Sequence, residues 1–161
     1  MRLLVFVAVT ALGVVGCSDS NPAQPTPAAR SNSTDLVVPG GAEEQGGRPI
    51  SVSLTGAAER PGPGDPDGSG TAVFSFNPGQ NQVCWELQWS GIEDPVAAHI
   101  HIAPVTDPGP VVVPLSPIAS GCSEDVDRDL IRAILTNPEA YYVNVHTPSF
   151  PAGAIRAQLA E

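Results

Sequence analysis

The chain has 161 residues, 15% of them charged, and a formal net charge of −10. Its seven basic residues are all arginine, set against seventeen acids. A surface this acidic excludes nucleic acid and anionic lipid headgroups as electrostatic partners.

In chain order, Arg2 gives a short positive start, and Leu3 to Val15 is a nearly unbroken apolar run. The run is too short to span a bilayer comfortably and ends in small residues, as a secretory signal does. Residues 1–16 are therefore expected to be a lipoprotein signal peptide. Val14-Val15-Gly16-Cys17 resembles a bacterial lipobox, in which the cysteine is lipidated and becomes the mature N-terminus. Two acyl chains hold a membrane far more tightly than one. The expected location is extracytoplasmic, anchored to the cell membrane by Cys17, with the membrane contacted through lipid alone.

Residues 17–47 are expected to be the lipidated N-terminus and a flexible linker. Ser18–Arg30 is rich in Ser, Asn, Pro, Ala and Gln and cannot bury enough apolar surface to fold alone. Its prolines favour an extended tether. Leu36-Val37-Val38 is a small apolar island expected to dock loosely or to pair as an edge strand.

Residues 48–161 suit one domain of ordinary size. Ile50, Val52 and Leu54 alternate with Ser51, Ser53 and Thr55, as on a half-buried strand. Arg60 to Gly70 is a Pro/Gly/Asp loop. Ala72, Phe74 and Phe76 alternate next, followed by an Asn77-Pro78-Gly79 turn. Val83, Trp85, Leu87 and Trp89 place four large apolar residues on one face, opposite Cys84, Glu86 and Gln88. A His-x-His strand follows at about 96–103, then a short strand at Val111 to Val113. Asp125 to Leu135 is expected to be helical, with Val126, Leu130 and Ile134 inward, acids in the first turn and Asn137-Pro138 as the stop. Strands at Tyr141–His146 and Ala154–Leu159 complete the domain. The pattern predicts an all-β fold: an antiparallel β-sandwich of about seven strands, immunoglobulin-like or superoxide-dismutase-like, with one short helix.

Three cysteines make an odd count, and the lipobox takes one. In an oxidising compartment Cys84 and Cys122 form the natural disulfide. The competing reading, two free thiols as metal ligands, lacks the close spacing of a ligand motif.

The segments Ala98-His99-Ile100-His101, Gly109-Pro110-Val111-Val112-Val113, Tyr142-Val143-Asn144-Val145-His146-Thr147 and Gly153-Ala154-Ile155-Arg156-Ala157-Gln158-Leu159 resemble, in order, the CHRD (chordin) domain family. The likeness covers roughly residues 50–160 and implies a β-sandwich, in the manner of secreted bacterial members. The chain departs from the family pattern at Ala157 and Ala103, where glycine is frequent. The growth-factor antagonism of chordin is not implied here, because fold does not fix function.

All three histidines lie in two of these segments. Alternation puts His99 and His101 on one face, opposite Ile100 and Ile102, and groups Tyr142, Asn144 and His146 on another. The cluster His99, His101, His146, Asn144 and Arg156 then has two readings. One is a structural polar network hydrogen-bonded between strands. The other is an open three-nitrogen metal site of His99, His101 and His146, suited to copper or zinc. Arg156 beside the histidines disfavours a cation and suits a structural partner such as Glu86. Asp65-Pro66-Asp67-Gly68-Ser69-Gly70 lacks the closing acid of a calcium loop and is read as a hairpin turn. No nucleophile elbow, phosphate loop or paired-carboxylate signature is present, so no catalytic residue and no cofactor is expected, copper or zinc aside. The function expected is a non-catalytic binding or adhesion module at the cell envelope. Its ligand there is unknown, and a metal-binding or redox-related role is the alternative.

Overall fold

The computed structural model describes residues 47–160. The signal peptide, Cys17, the linker and the Leu36–Val38 island lie outside the described residues. Among the described residues no helix is long and apolar enough to cross a membrane.

Eight antiparallel strands form one continuous sheet in the order Val111–Pro114 (β5), Ala97–Ile102 (β4), Tyr141–His146 (β7), Ile155–Gln158 (β8), Arg48–Thr55 (β1), Ser69–Asn77 (β2), Gln82–Ser90 (β3) and Ser120–Ser123 (β6). In β1 (Arg48–Thr55) the alternation holds: Val52 and Leu54 are buried while Ser51, Ser53 and Thr55 face out. β2 (Ser69–Asn77) buries Ala72, Phe74 and Phe76 completely. β3 (Gln82–Ser90) buries Val83, Trp85 and Leu87, and the Trp85 indole N–H donates to the Pro117 carbonyl at 3.1 Å. The other half of the sheet comprises β4 (Ala97–Ile102), β5 (Val111–Pro114), β7 (Tyr141–His146) and β8 (Ile155–Gln158).

Residues of both halves belong to one hydrophobic cluster, Phe74 and Trp85 from one side, Ile100 and Val143 from the other. The sheet must therefore curl upon itself so that its two halves enclose a common core, as in a sandwich. The halves join at a narrow seam, where the β1–β8 register is the single pair Thr55↔Arg156.

Two elements differ from expectation. The eighth strand, β6 (Ser120–Ser123), lies where the sequence pattern predicts no strand. Ser-Gly-Cys-Ser carries no apolar alternation; the strand exists because β3 offers it an edge, with Cys84 directly opposite Cys122. The Cys84–Cys122 disulfide joins that pair, with Cα atoms 4.0 Å apart. The helix, α1 (Arg128–Thr136), starts three residues later than Asp125. Asp127 is its N-cap, accepting from the amides of Asp129 and Leu130 at 2.7 and 3.3 Å, which satisfies two of the unpaired first-turn donors. Ile131 and Ile134 are its fully buried residues; Val126 and Leu130 are only partly covered.

The site is positioned by β7 and β8, which are buried on both faces. Tyr141, Val143, Val145, Ile155 and Ala157 enter the hydrophobic core. Tyr142, Asn144 and Arg156 point the opposite way and are also buried. What covers them is loop, not sheet: residues 103–110 between β4 and β5, and residues 56–68 between β1 and β2. The second loop is tied down by its own amides, Gly64 to the Gly56 carbonyl at 2.8 Å and Asp65 to the Ala154 carbonyl at 2.8 Å. Within it the Asp65 carboxylate accepts from the Asp67 amide at 3.1 Å, which closes the local turn. Ile102, on the same face as the fully buried Ile100, is 39% exposed; the β4–β5 register shifts between Ile100 and His101 at this strand end.

Candidate functional site

The strand register brings the chemistry-bearing side chains together. His99 lies opposite Asn144 and His101 opposite Tyr142 across β4–β7, while Asn144 lies opposite Arg156 across β7–β8. The result is a row of polar side chains under the two loops, with an inner and an outer part.

The inner part is a stack. The His101 ring lies parallel to the Tyr142 ring, at 4° and 4.7 Å between centroids, and the Arg156 guanidinium sits 3.5 Å above the Tyr142 ring centre. Strand order places Tyr142 between the two. Arg156 is 1% exposed and donates to the Asp107 and Pro104 carbonyls, both at 3.1 Å, and to the Gln158 side-chain oxygen at 3.2 Å. Its guanidinium thus holds the 103–110 loop on the sheet by two charge-assisted hydrogen bonds. It does not reach Glu86, whose carboxylate accepts from Gln88 at 3.0 Å on the far half of the sheet. Burial lowers the Arg156 pKa; Tyr142 and Glu59 act against that shift.

Gly109 locks the loop to the same stack. Its carbonyl is 2.8 Å from His101 Nδ1, and its amide donates to the Tyr142 hydroxyl at 3.1 Å. A Cβ at this position would run into the Ile102 carbonyl, so only glycine lets the loop approach so closely.

The outer part is the histidine cluster. His101 Nε2 and His146 Nε2 each lie 3.0 Å from Asn144 Oδ1, and His99 Nδ1 lies 3.1 Å from His146 Nε2. His146 Nδ1 is 3.1 Å from the Pro151 carbonyl. The three imidazoles present one ring nitrogen each within a mutual distance of 4.8 Å. Among the described residues this is a group of three side chains of metal-ligating type. His101 is 7% exposed, and His99 and His146 are half-buried, open to solvent on one side. Burial, with the neighbouring His146 and His101, lowers the His99 pKa from 6.5 to about 4. Burial lowers that of His146 as well.

Glu59 belongs to no motif of the sequence. It sits in the 56–68 loop yet is 3% exposed, and its Oε1 has no hydrogen-bond partner. Burial raises its pKa from 4.5 to about 7, against the opposing pull of the Arg60 amide, Arg156 and the Asn144 side chain. Gly153, at φ +142°, lies against this carboxylate, and a Cβ there would overlap it.

Every member of the predicted cluster (His99, His101, His146, Asn144 and Arg156) is therefore in one continuous network, with Tyr142, Gly109 and Glu59 added to it. Residues 50–159 match the family model of the CHRD domain, and the chain belongs to that family. No curated protein and no solved structure matches it.

Proposed function

We propose that this CHRD domain is a non-catalytic binding module displayed outside the cytoplasmic membrane on a lipidated Cys17. The observation that carries the reading is the Val14-Val15-Gly16-Cys17 sequence behind an apolar run and ahead of a Pro-rich tether. The Cys84–Cys122 bridge supports the same compartment, because such bonds persist where thiols are oxidised. The polar network supports a non-catalytic reading: its one guanidinium, Arg156, is tied to the backbone carbonyls of Asp107 and Pro104. Feeding cells a labelled fatty-acid analogue tests the anchor. The wild-type chain takes up label and fractionates with membrane; Cys17→Ser is unlabelled. Label retained in that variant overturns the anchor.

A second reading has its own observation. Three histidine nitrogens lie within 4.8 Å of one another, and this favours metal binding as the activity of the module.

A further inference from the structure

We infer that His99, His101 and His146, with the side-chain oxygen of Asn144 as fourth donor, bind one divalent transition-metal ion from the copper–zinc end of the first row. The inference deepens the metal reading and rests on it; it is independent of the lipid anchor.

The argument begins with protons. A backbone carbonyl can only accept, so the ring nitrogens facing Gly109 and Pro151 must carry hydrogen. Both are Nδ1. In the neutral rings of His101 and His146 the lone pair therefore lies on Nε2, and both Nε2 atoms point at Asn144 Oδ1. That oxygen is itself an acceptor. Three acceptors thus face one another, and His99 supplies a single proton toward them, through its contact with His146. Acceptors gathered without donors are unfavourable unless a cation joins them.

Turning the Asn144 amide over would put donors there instead, but its NH2 faces the Glu59 carboxylate. A metal needs neutral imidazoles, and the two carbonyl contacts hold the rings of His101 and His146 with Nε2 free to ligate. Holding the Nδ1 hydrogens of two histidines on backbone carbonyls is also the outer-shell arrangement that orients ligating imidazoles.

Geometry and ligand type narrow the ion. Tetrahedral donors about 2.0–2.1 Å from one ion lie about 3.3 Å apart. Three contacts in the cluster are already at 3.0–3.1 Å, and the nitrogens all fall within 4.8 Å, so a small inward movement completes the set. Imidazoles suit zinc and copper, whereas calcium and magnesium require oxygen cages. Cuprous ion favours thiolates, and the two cysteines of the domain are bonded to each other. Arg156 is no barrier: the Tyr142 ring stands between it and His101, and the buried Glu59 supplies a neighbouring carboxylate. The half-exposed rings of His99 and His146 give an ion its way in from solvent.

The test is isothermal titration of the exported, detergent-purified chain, stripped with chelator, against zinc chloride and against cupric chloride at neutral pH. One ion of either metal binds per chain, and bound copper shows nitrogen hyperfine splitting in its electron paramagnetic resonance spectrum. His99→Ala and His146→Ala each weaken binding at least tenfold. His99→Ala guards against misfolding as the cause, because its ring makes a hydrogen bond to His146 alone and its metal-free melt stays close to wild type. No stoichiometric binding of either ion overturns the inference. Binding that persists undiminished in both variants also overturns it, by placing the ion elsewhere. Membrane fractionation of Cys17→Ser reads the anchor separately, so the two can fail independently.

Discussion

Both faces of β7 are buried, except at His146 on the strand end, and they are held by opposite means. On one, Tyr141, Val143 and Val145 join a continuous apolar core whose energy comes from removing carbon from water. On the other, Tyr142, Asn144 and His146 lie beside loops fixed by hydrogen bonds between side chains and backbone. The apolar face tolerates any packing of about the right volume. The polar face does not, because each buried polar group needs a particular partner. A strand buried twice over can thus give stability from one side and specificity from the other.

The largest effect is expected on the apolar side. Phe74 is fully buried, and Phe74→Ala is predicted to cost about 3–5 kcal/mol in urea unfolding. Arg156→Ala is expected to cost about 1–3 kcal/mol, by leaving the Pro104 and Asp107 carbonyls without donors. A larger loss for Arg156→Ala than for Phe74→Ala in the same titration would reverse the ranking of the two faces.

A pH profile sharpens the comparison, because only the polar face titrates. His99 has a folded pKa of about 4 against an ordinary 6.5, so the unfolded chain binds its proton first. Its contribution is complete above pH 6.5 and is lost as the pH falls toward 4. Glu59 runs the other way: with a folded pKa near 7 against 4.5, it stabilises below pH 4.5, and that contribution is lost as pH rises through 7. Between these limits the slopes oppose each other. Metal-free melts should show a shallow pH dependence in the wild type and a steeper loss on acidification in Glu59→Gln. Identical profiles for the two would remove Glu59 from the network.

The smallest effect is His99→Ala in chelator, less than about 1 kcal/mol, since it removes one hydrogen bond from a half-exposed ring. A loss as large as that of Arg156→Ala would make His99 a structural member of the buried network.

The strands with strict alternation were legible because their period matches the pleat: β1, β2 and β3 follow their apolar residues closely. The polar row was legible for the same reason, since alternation alone groups Tyr142, Asn144 and His146. Illegible features were those decided by distant partners. Ser120–Ser123 becomes a strand through β3, and Asp125 is kept out of the helix by a positive φ of 59° and by the Asp127 cap. Glu59 has no pattern around it; its burial is created by Gly153, Asn144 and Arg156, all far along the chain. The expected Arg156–Glu86 contact failed because residues with the right charges lay on different halves of the sheet.

The Cys84–Cys122 bond closes residues 84–122 into a covalent ring. His99, His101 and the whole 103–110 loop ride inside that ring, whereas His146 and Arg156 lie beyond it. A protease that cuts the loop therefore makes two fragments only after reduction; in the oxidised protein the nicked chain is still a single molecule. The cut ends would stay tethered to their strands, and the broken loop would re-dock as an intramolecular event instead of a second-order encounter. Damage to the cover of the polar face thereby becomes a local injury and not the loss of a fragment.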